Sequence, residues 1–391
     1  LWIEHKYGLK EADKHLRGDY LSYLSDTPRV DLIRYHYDDK EDMFDSHTYE
    51  KGSLILHMLR NLVGDDAFFA SINLYLHNRA FKTAEVHDLR MAFEQVSGQD
   101  LNWFFNQWFL DKGHPILDVN WETSGDSLLL NVSQTQNIEY PTFKLPVDID
   151  FYLNGQKTRK KIWVTKRNET FVFEGVADAE VVNFDADKVL LIELNQTLSP
   201  EEAFILFDQS DHYGTKLEAM LQVRRDTSLA GWELMSLASR DKFNSFRKLS
   251  FYFSTNKEYA KTEENKSYLL EKYKKDPSPE VRVAIVSTIY NIWNEDSSLI
   301  SFYKKALMDS SINVKLTALN IINALAREDA LLRAHELENE IDPRIVRHLS
   351  RMYIDIKDES KSKWFNWAIK HVEYRNKSYV ISNYLKYLLE K

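Results

Sequence analysis

Tyr49 is the residue of this sequence best suited to polar catalysis, and it is followed at once by Glu50, Lys51 and Gly52. A tyrosine hydroxyl keeps its proton at neutral pH because its ordinary pKa is about 10. In amide hydrolysis the carbonyl oxygen becomes an oxyanion, and losing one fixed donor to it costs about 2.7–4 kcal/mol in the transition state. The alternative is a structural tyrosine whose hydroxyl caps or bridges a neighbouring group. The local pattern alone favours that alternative.

Zinc chemistry on a helix needs two histidines three or four residues apart, so that both lie on one face. No two of the 12 histidines lie closer in the sequence than His47 and His57. His335 and the glutamate after it begin like H-E-x-x-H, but Asn339 stands where the second histidine is needed. The sequence therefore shows no recognisable zinc pair, and each histidine is interpreted as a surface residue or a satisfied core residue.

Composition excludes several other kinds of chemistry. The chain has no cysteine, which rules out disulfides, thiolate zinc sites and a cysteine nucleophile. Nucleophile elbows, P-loops and G-x-G-x-x-G fingerprints are absent from the sequence. The net charge of −9 argues against a general nucleic-acid binder. No apolar run reaches the roughly 18 residues of a membrane span, and the first residues do not resemble a signal peptide.

The elements that must position Tyr49 begin with a helix directly after it. An apolar stripe at three- and four-residue steps predicts that helix. Its members are Leu54, Ile55, Met58, Leu59 and Leu62. Helical periodicity continues through residues 1–115, and a chain of 391 residues is expected to form two or three domains.

Between residues 116 and 198 the hydrophobic period changes from that of a helix to that of a strand. Asn154 and Gly155 separate two alternating runs, which is a strong signal for a β-hairpin. Pro146 lies within the first of these runs, so we expect it at a sheet edge or a bulge, where its missing N–H does no harm. This region predicts a small antiparallel β-sandwich.

Residues 199–391 return to a helical pattern, in which a weak repeat is visible. The repeated positions are Asp276, Val281 and Arg282, then Asp309, Val314 and Lys315, then Asp342, Val346 and Arg347. Successive valines are spaced by 33 and then 32 residues, a period that suits stacked helical hairpins. We therefore predict HEAT- or armadillo-like stacking, and the alternative is a set of coincidental matches in an ordinary helical domain.

Two segments with suitable spacing carry a resemblance to the aminopeptidase N family of zinc metallopeptidases. TYEKGSLILHMLRNLVG resembles the tyrosine–acid–lysine–glycine segment of that family, and DLNWFFNQWFLDKGHPIL resembles its tryptophan-rich segment. The matching residues of the second segment are Trp103, Gln107, Trp108, Gly113 and Pro115. The resemblance implies a mainly α multidomain chain with a small β-sandwich. Residues 1–115 would be the helical part of a thermolysin-like catalytic domain, 116–198 the β-sandwich, and 199–391 the HEAT-like superhelix.

The resemblance also implies a function. In the family, zinc is held by H-E-x-x-H and by a glutamate on the next helix, and the opening LWIEHKYG resembles the continuation of that helix. The zinc ligands would therefore lie upstream of Leu1, and this chain would be a C-terminal fragment that is inactive alone and holds no metal. Tyr49 alone carries over as a catalytic residue, the oxyanion donor. Glu50, Lys51 and Gly52 would support it, and Trp103 and Trp108 would pack the domain base.

Two functions from different classes remain at this point. The first is part of a zinc aminopeptidase whose substrates are peptides with a free N-terminus. The second is a non-catalytic scaffold in which the β-sandwich and the helical solenoid bind a protein partner. The paired Tyr49 and Trp103 segments favour the enzyme, because a scaffold has no need of both.

Overall fold

Most of the described chain is helical, with a small region of β-sheet in the middle. The computed structural model describes residues 1–27, 30–255, 258–354 and 360–389. The chain divides into two compact units, Leu1–Val223, called unit 1, and Arg224–Lys391, called unit 2. No helix of the described residues is long and apolar enough to cross a membrane.

Unit 1 begins with helices, and the helix after Tyr49 forms as its apolar stripe predicts. The helices are α1 (Trp2–Tyr7), α2 (Leu9–Ser25), α3 (Gly52–Val63), α4 (Asp65–Arg79), α5 (Val86–Ser97) and α6 (Asn102–Phe105). Leu54, Ile55, Met58 and Leu59 of α3 are all buried in the core. Between α2 and α3 lie a 3₁₀ turn, Lys40–Met43, and a π turn, His47–Lys51.

The strands of unit 1 form two sheets, with strand orders β5-β2-β1-β7 and β4-β3-β6. The strands are β1 (Ile116–Ser124), β2 (Ser127–Gln134), β3 (Leu145–Leu153), β4 (Gln156–Val164), β5 (Asn168–Glu174), β6 (Val181–Phe184) and β7 (Glu193–Asn195). The pairs are antiparallel except for β1 and β7, which run parallel with Ile116 opposite Glu193. The expected purely antiparallel pairing is therefore corrected at one edge, where a long connection lets β7 return in the direction of β1.

The β3–β4 hairpin turns at the predicted dipeptide. Asn154 and Gly155 have φ values of 50° and 73°, as a two-residue type I′ turn requires. β3 is the central strand of its sheet, which at first sight conflicts with Pro146. However, β6 pairs only with the far part of β3, from Ile149 onwards, so Pro146 faces a partner on the β4 side alone. The missing N–H of Pro146 is thus tolerated, as expected.

Unit 1 closes with two helices, α7 (Pro200–Gln209) and α8 (Tyr213–Gln222). Helices α2 to α6 and both sheets share one continuous apolar core, which runs in sequence from Tyr23 to Ile192. The predicted domain limits at residues 115 and 198 stay a prediction.

Unit 2 is helical throughout its described residues. Its α-helices are α9 (Leu229–Ala238), α10 (Asn244–Ser254), α11 (Glu263–Lys275), α12 (Pro279–Trp293), α13 (Ile300–Ala306), α14 (Ile312–Leu325), α15 (Arg327–Glu336), α16 (Pro343–Met352), α17 (Ser360–His371) and α18 (Tyr374–Leu389). The three repeated valines, Val281, Val314 and Val346, occupy matching places near the starts of α12, α14 and α16, and all three are buried in one core.

Candidate active site

Tyr49 lies in the π turn, His47–Lys51, which runs without a break into α3. Its backbone N–H donates to the carbonyl oxygen of Asp45 at 3.1 Å. Its side chain is 58% exposed, and its ring centroid lies 6.1 Å from that of Phe44. Within the part of the chain that the structure describes, the Tyr49 hydroxyl has no hydrogen-bond partner. Because π turns occur frequently at functional sites, the turn and the exposed phenol together mark a candidate site.

An arginine–aspartate pair fixes the start of this turn. Arg34 donates to the Asp45 carboxylate through Nη1 to Oδ2 at 2.7 Å and through Nη2 to Oδ1 at 3.1 Å. Asp45 Oδ1 also accepts the backbone N–H of Thr48 at 2.9 Å. Burial opposes ionisation of Asp45, but the hydrogen bonds from Arg34 and Thr48 outweigh it and hold the pKa of this carboxyl below its ordinary value. Paired charged hydrogen bonds of this kind are strong and directional, so the turn that carries Tyr49 has a fixed base.

His47, two residues before Tyr49, anchors the turn from inside. Its side chain is 2% exposed, and its Nε2 accepts the backbone N–H of Val30 at 3.3 Å. In the neutral ring the proton is therefore on Nδ1, which lies 3.6 Å from Asp45 Oδ2 and 3.7 Å from Asp26 Oδ2. His47 thus holds the π turn to the loop before it and places its Nδ1 near two carboxylates.

A buried polar chain continues from His47 towards the strands of unit 1. The Tyr23 ring meets the His47 ring edge-on, with centroids 5.4 Å apart. The Tyr23 hydroxyl and His114 Nδ1 are 3.0 Å apart, and His114 Nε2 lies 2.7 Å from Glu193 Oε1. Both histidines are core residues, in agreement with the sequence interpretation, and their connection through Tyr23 appears only in the fold.

The remaining residues of the first motif are placed differently. Glu50 accepts a hydrogen bond from Ser22 Oγ at 3.2 Å, and Lys51 is completely buried. Gly52 has a helical φ of −58°, and a Cβ there would lie 4.0 Å from the nearest side-chain atom, on Leu32. Neither backbone conformation nor packing requires glycine at position 52. Glu50 and Lys51 face structure rather than the solvent that Tyr49 meets.

The second motif lies between the helices and the sheets of unit 1. Gln107 Nε2 donates to the carbonyl oxygen of Lys144 at 3.2 Å, and its Oε1 accepts the Lys144 N–H at 2.7 Å. Trp108 is 1% exposed, with its ring centroid 5.1 Å from that of Phe143. Gly113 has a φ of +82°, and a Cβ there would lie 3.2 Å from the Tyr140 ring. These residues pack and join elements, which is the role that the resemblance implies for Trp108.

The described residues do not fit a resident zinc ion. Among them, no group of three or more histidine and acidic side chains is placed to hold a metal. Sequence reasoning reached Tyr49 but missed Arg34, Asp45 and His47, which hold its turn. For His47 the one available signal is its place in the stretch HTYEKG, whereas Arg34 and Asp45 lie in irregular segments that no periodicity connects.

Parts of the sequence are similar to a known protein family and to several aminopeptidases. Residues 3–108 match the peptidase family M1 domain. Aminopeptidase M1 from Arabidopsis thaliana is 28% identical over 119 residues, which cover 30% of this chain and 14% of the relative. Aminopeptidase N from Lactococcus lactis subsp. lactis is 26% identical over 194 residues, covering 48% of this chain and 20% of the relative. The puromycin-sensitive aminopeptidase of Caenorhabditis elegans is 25% identical over 181 residues, covering 44% and 19%.

The fold resembles that in the crystal structure of Legionella pneumophila aminopeptidase A in complex with aspartic acid. The TM-score is 0.68 at 15% sequence identity, and the match covers 98% of this chain and 52% of that one. The chain therefore spans about half of that protein, and its matched segments span at most 20% of the three curated relatives. The resemblance to the aminopeptidase N family that the two motifs indicate is confirmed.

Proposed function

We propose that this chain is the C-terminal part of a zinc aminopeptidase that removes N-terminal residues from peptides. In this proposal Tyr49 is a catalytic residue whose hydroxyl donates a hydrogen bond to the oxyanion formed at the scissile amide. Family M1 aminopeptidases are generally zinc-dependent, and we place the zinc ligands of this protein outside the described residues. The chain by itself is then inactive.

The observation that carries the proposal is the state of the Tyr49 side chain. A tyrosine of the core buries its ring and pairs its hydroxyl within the fold. Tyr49 does neither, because its side chain is 58% exposed and its hydroxyl bonds to no other described residue. The Arg34–Asp45 pair and the buried His47 nevertheless fix the backbone that carries it. A free donor on a fixed backbone is what oxyanion stabilisation requires.

The chemistry of the proposed step belongs to the phenol alone. As the amide carbon becomes tetrahedral, negative charge develops on its oxygen, and the Tyr49 O–H strengthens its hydrogen bond to that oxygen. The step requires no proton transfer from the phenol, only a hydrogen bond that shortens as charge develops on the amide oxygen. Glu50, which accepts from Ser22, and the buried Lys51 support the turn in this account and do not touch the substrate.

The same proposal includes a HEAT-like superhelix in residues 199–391. Its support is a repeated contact in unit 2. Asp276 accepts from Arg247 at 2.8 Å, and Asp309, one repeat later, accepts from Arg282 at 2.8 Å. Each of these aspartates precedes a helix whose third residue is a buried repeat valine, as expected for stacked helical hairpins.

The test of the function compares this chain with the full-length protein encoded by its gene. The full-length protein should cleave leucine 4-nitroanilide, should leave N-acetyl-leucine 4-nitroanilide intact, and should contain one zinc ion per chain by metal analysis. The 391-residue chain should show neither stoichiometric zinc nor activity.

Cleavage of the blocked substrate would contradict the requirement for a free N-terminus. A full-length protein without H-E-x-x-H, without zinc and without amidase activity would overturn the enzyme proposal in favour of a binding scaffold. One zinc ion bound to the 391-residue chain would show that the ligands were misplaced.

A further inference from the structure

Unit 2 contains a pocket of about 350 Å³ between helices α9, α10, α11 and α12. This volume falls in the range of small-molecule sites, which are about 300–1,000 Å³ and mostly apolar with a few polar groups. Aromatic side chains form much of its wall, namely Trp232, Phe251, Tyr259 and Tyr268. Phe251 is 3% exposed and forms the floor, whereas Tyr259 is 41% exposed and lies towards the solvent. The pocket is therefore an aromatic cup that is open to solvent.

The hydroxyl groups deep in this pocket are already used by the protein. Ser239 Oγ and the Tyr268 hydroxyl are 2.8 Å apart. Thr288 Oγ1 donates to the carbonyl oxygen of Phe251 at 3.0 Å. Ser254 Oγ donates to the carbonyl oxygen of Ser250. A ligand would therefore meet an apolar interior and would find its polar contacts elsewhere.

Two opposite charges flank one of the aromatic walls. The Arg240 guanidinium lies over the Tyr268 ring, with its carbon 5.8 Å from the ring centroid. Glu264 precedes Tyr268 by one turn of α11, so the two side chains lie on the same helix face. Both Arg240 and Glu264 line the pocket and are exposed. Neither side chain forms an ion pair or a hydrogen bond within the described residues.

We propose that this pocket binds a free α-amino acid with a large apolar side chain. The α-carboxylate pairs with Arg240, the α-ammonium pairs with Glu264, and the apolar side chain enters the cup formed by Trp232, Tyr268 and Phe251. The three features of the pocket correspond one to one with the three groups of such a ligand. A phosphate-rich ligand fits less well, because Arg240 is the single cation among the described lining residues and Glu264 would repel it.

The test is calorimetric titration of the 391-residue chain with L-phenylalanine and two analogues. L-Phenylalaninamide lacks the carboxylate, and N-acetyl-L-phenylalanine lacks the ammonium. Each analogue should bind at least about tenfold more weakly than phenylalanine, since each loses a charge-assisted hydrogen-bond partner. Equal binding of all three compounds, or no binding of phenylalanine with a Kd below about 10 mM, would overturn the proposal.

Two exposed substitutions locate the site and assign the charges. Arg240→Gln should weaken phenylalanine about tenfold and leave the amide unchanged, because the amide has no carboxylate to lose. Glu264→Gln should weaken phenylalanine similarly and leave the N-acetyl compound unchanged. Arg375→Gln and Glu295→Gln, exposed residues outside the pocket, should change nothing. If neither pocket variant alters phenylalanine binding, the ligand sits elsewhere and the proposal is wrong. The binding assay requires no catalysis, so its outcome is independent of the proposed function.

Discussion

In both units of the molecule an aspartate accepts hydrogen bonds from an arginine side chain and from the backbone N–H of a residue shortly after it in the sequence. In unit 1 Asp45 does so with Arg34, and in unit 2 Asp276 and Asp309 do so with Arg247 and Arg282. In each case burial opposes ionisation, yet the hydrogen bonds prevail and hold the pKa of the aspartate below its ordinary value. The local chemistry is therefore the same at all three positions.

What differs is the surroundings of each pair. The side chains of Arg247 and Asp276 are 9% and 1% exposed, whereas those of Arg34 and Asp45 are 14% and 25% exposed. The unit 2 pair joins regular helices, and the unit 1 pair fixes a π turn whose tyrosine points into solvent. The arginine–aspartate pair of unit 2 thus connects helices, whereas the pair of unit 1 positions the turn that carries a candidate catalytic residue.

The largest effect on stability is expected from Asp276→Asn. The change leaves the Arg247 guanidinium, which is nearly buried, without a carboxylate, and breaking a buried pair costs about 3–5 kcal/mol in free energy of unfolding. Denaturant unfolding of the chain should show this loss. Glu280→Gln removes the partner of Lys248 at an exposed pair and should cost less than about 1 kcal/mol. Equal costs for the two variants would show that burial does not separate the pairs.

A smaller loss of stability is expected from Asp45→Asn. The partly exposed pair with Arg34 should contribute about 1–2 kcal/mol to the free energy of unfolding, since water replaces part of the lost contact. In the full-length protein the same change should lower kcat about tenfold while KM changes little, because it loosens the turn under Tyr49 and not the substrate contacts. Asp38→Asn, an exposed residue of the preceding loop, is the matched control. An unchanged kcat would contradict the role of Asp45 in positioning the turn that carries Tyr49.

The difference in stability between wild type and Asp276→Asn should depend on pH. The pKa of Asp276 is lowered in the folded chain, so its contribution is complete above the ordinary value of 3.8. As pH falls below 3.8, the unfolded chain takes up the proton first, and the difference should shrink by up to about 1.4 kcal/mol per pH unit. Unfolding curves between pH 7 and pH 3 measure it. A difference that stays constant over this range would contradict the proposed source of the stability.

The smallest effect is expected at the third repeat. Asp342 pairs with Arg344, but their side chains are 24% and 48% exposed. Asp342 also accepts the backbone N–H of Arg344 as a helix N-cap, and asparagine serves as well at that position. Asp342→Asn should therefore cost less than about 0.5 kcal/mol in free energy of unfolding. A cost as large as that of Asp276→Asn would mean that the repeats are energetically equivalent.

The sequence predicts the parts of this molecule that depend on periodicity. The stripe that begins at Leu54 gives α3, the Asn154–Gly155 dipeptide gives the β3–β4 hairpin, and the spacing of Val281 and Val314 gives matching buried positions. Each of these rests on contacts within one element or between neighbours in sequence. Local pattern is enough in such cases.

The parts that the sequence does not predict depend on contacts between distant residues. Arg34 meets Asp45 across an irregular segment, and His114 meets Tyr23 over 91 positions of chain. The parallel pairing of β1 with β7 likewise follows from a long connection that has no period of its own. Tyr49 itself was identified from a motif, but its exposed hydroxyl and the turn beneath it required the fold.

The most direct test of the central claim is Tyr49→Phe in the full-length protein. This change removes one hydroxyl and should lower kcat by about 100-fold or more, with the zinc content and thermal stability retained. Tyr37→Phe is the matched control, because Tyr37 also precedes α3 in the sequence and is 56% exposed. The Tyr37→Phe variant should keep its full kcat. A near-normal kcat for Tyr49→Phe, or an equal loss for both variants, would contradict the assignment of Tyr49 as the oxyanion donor.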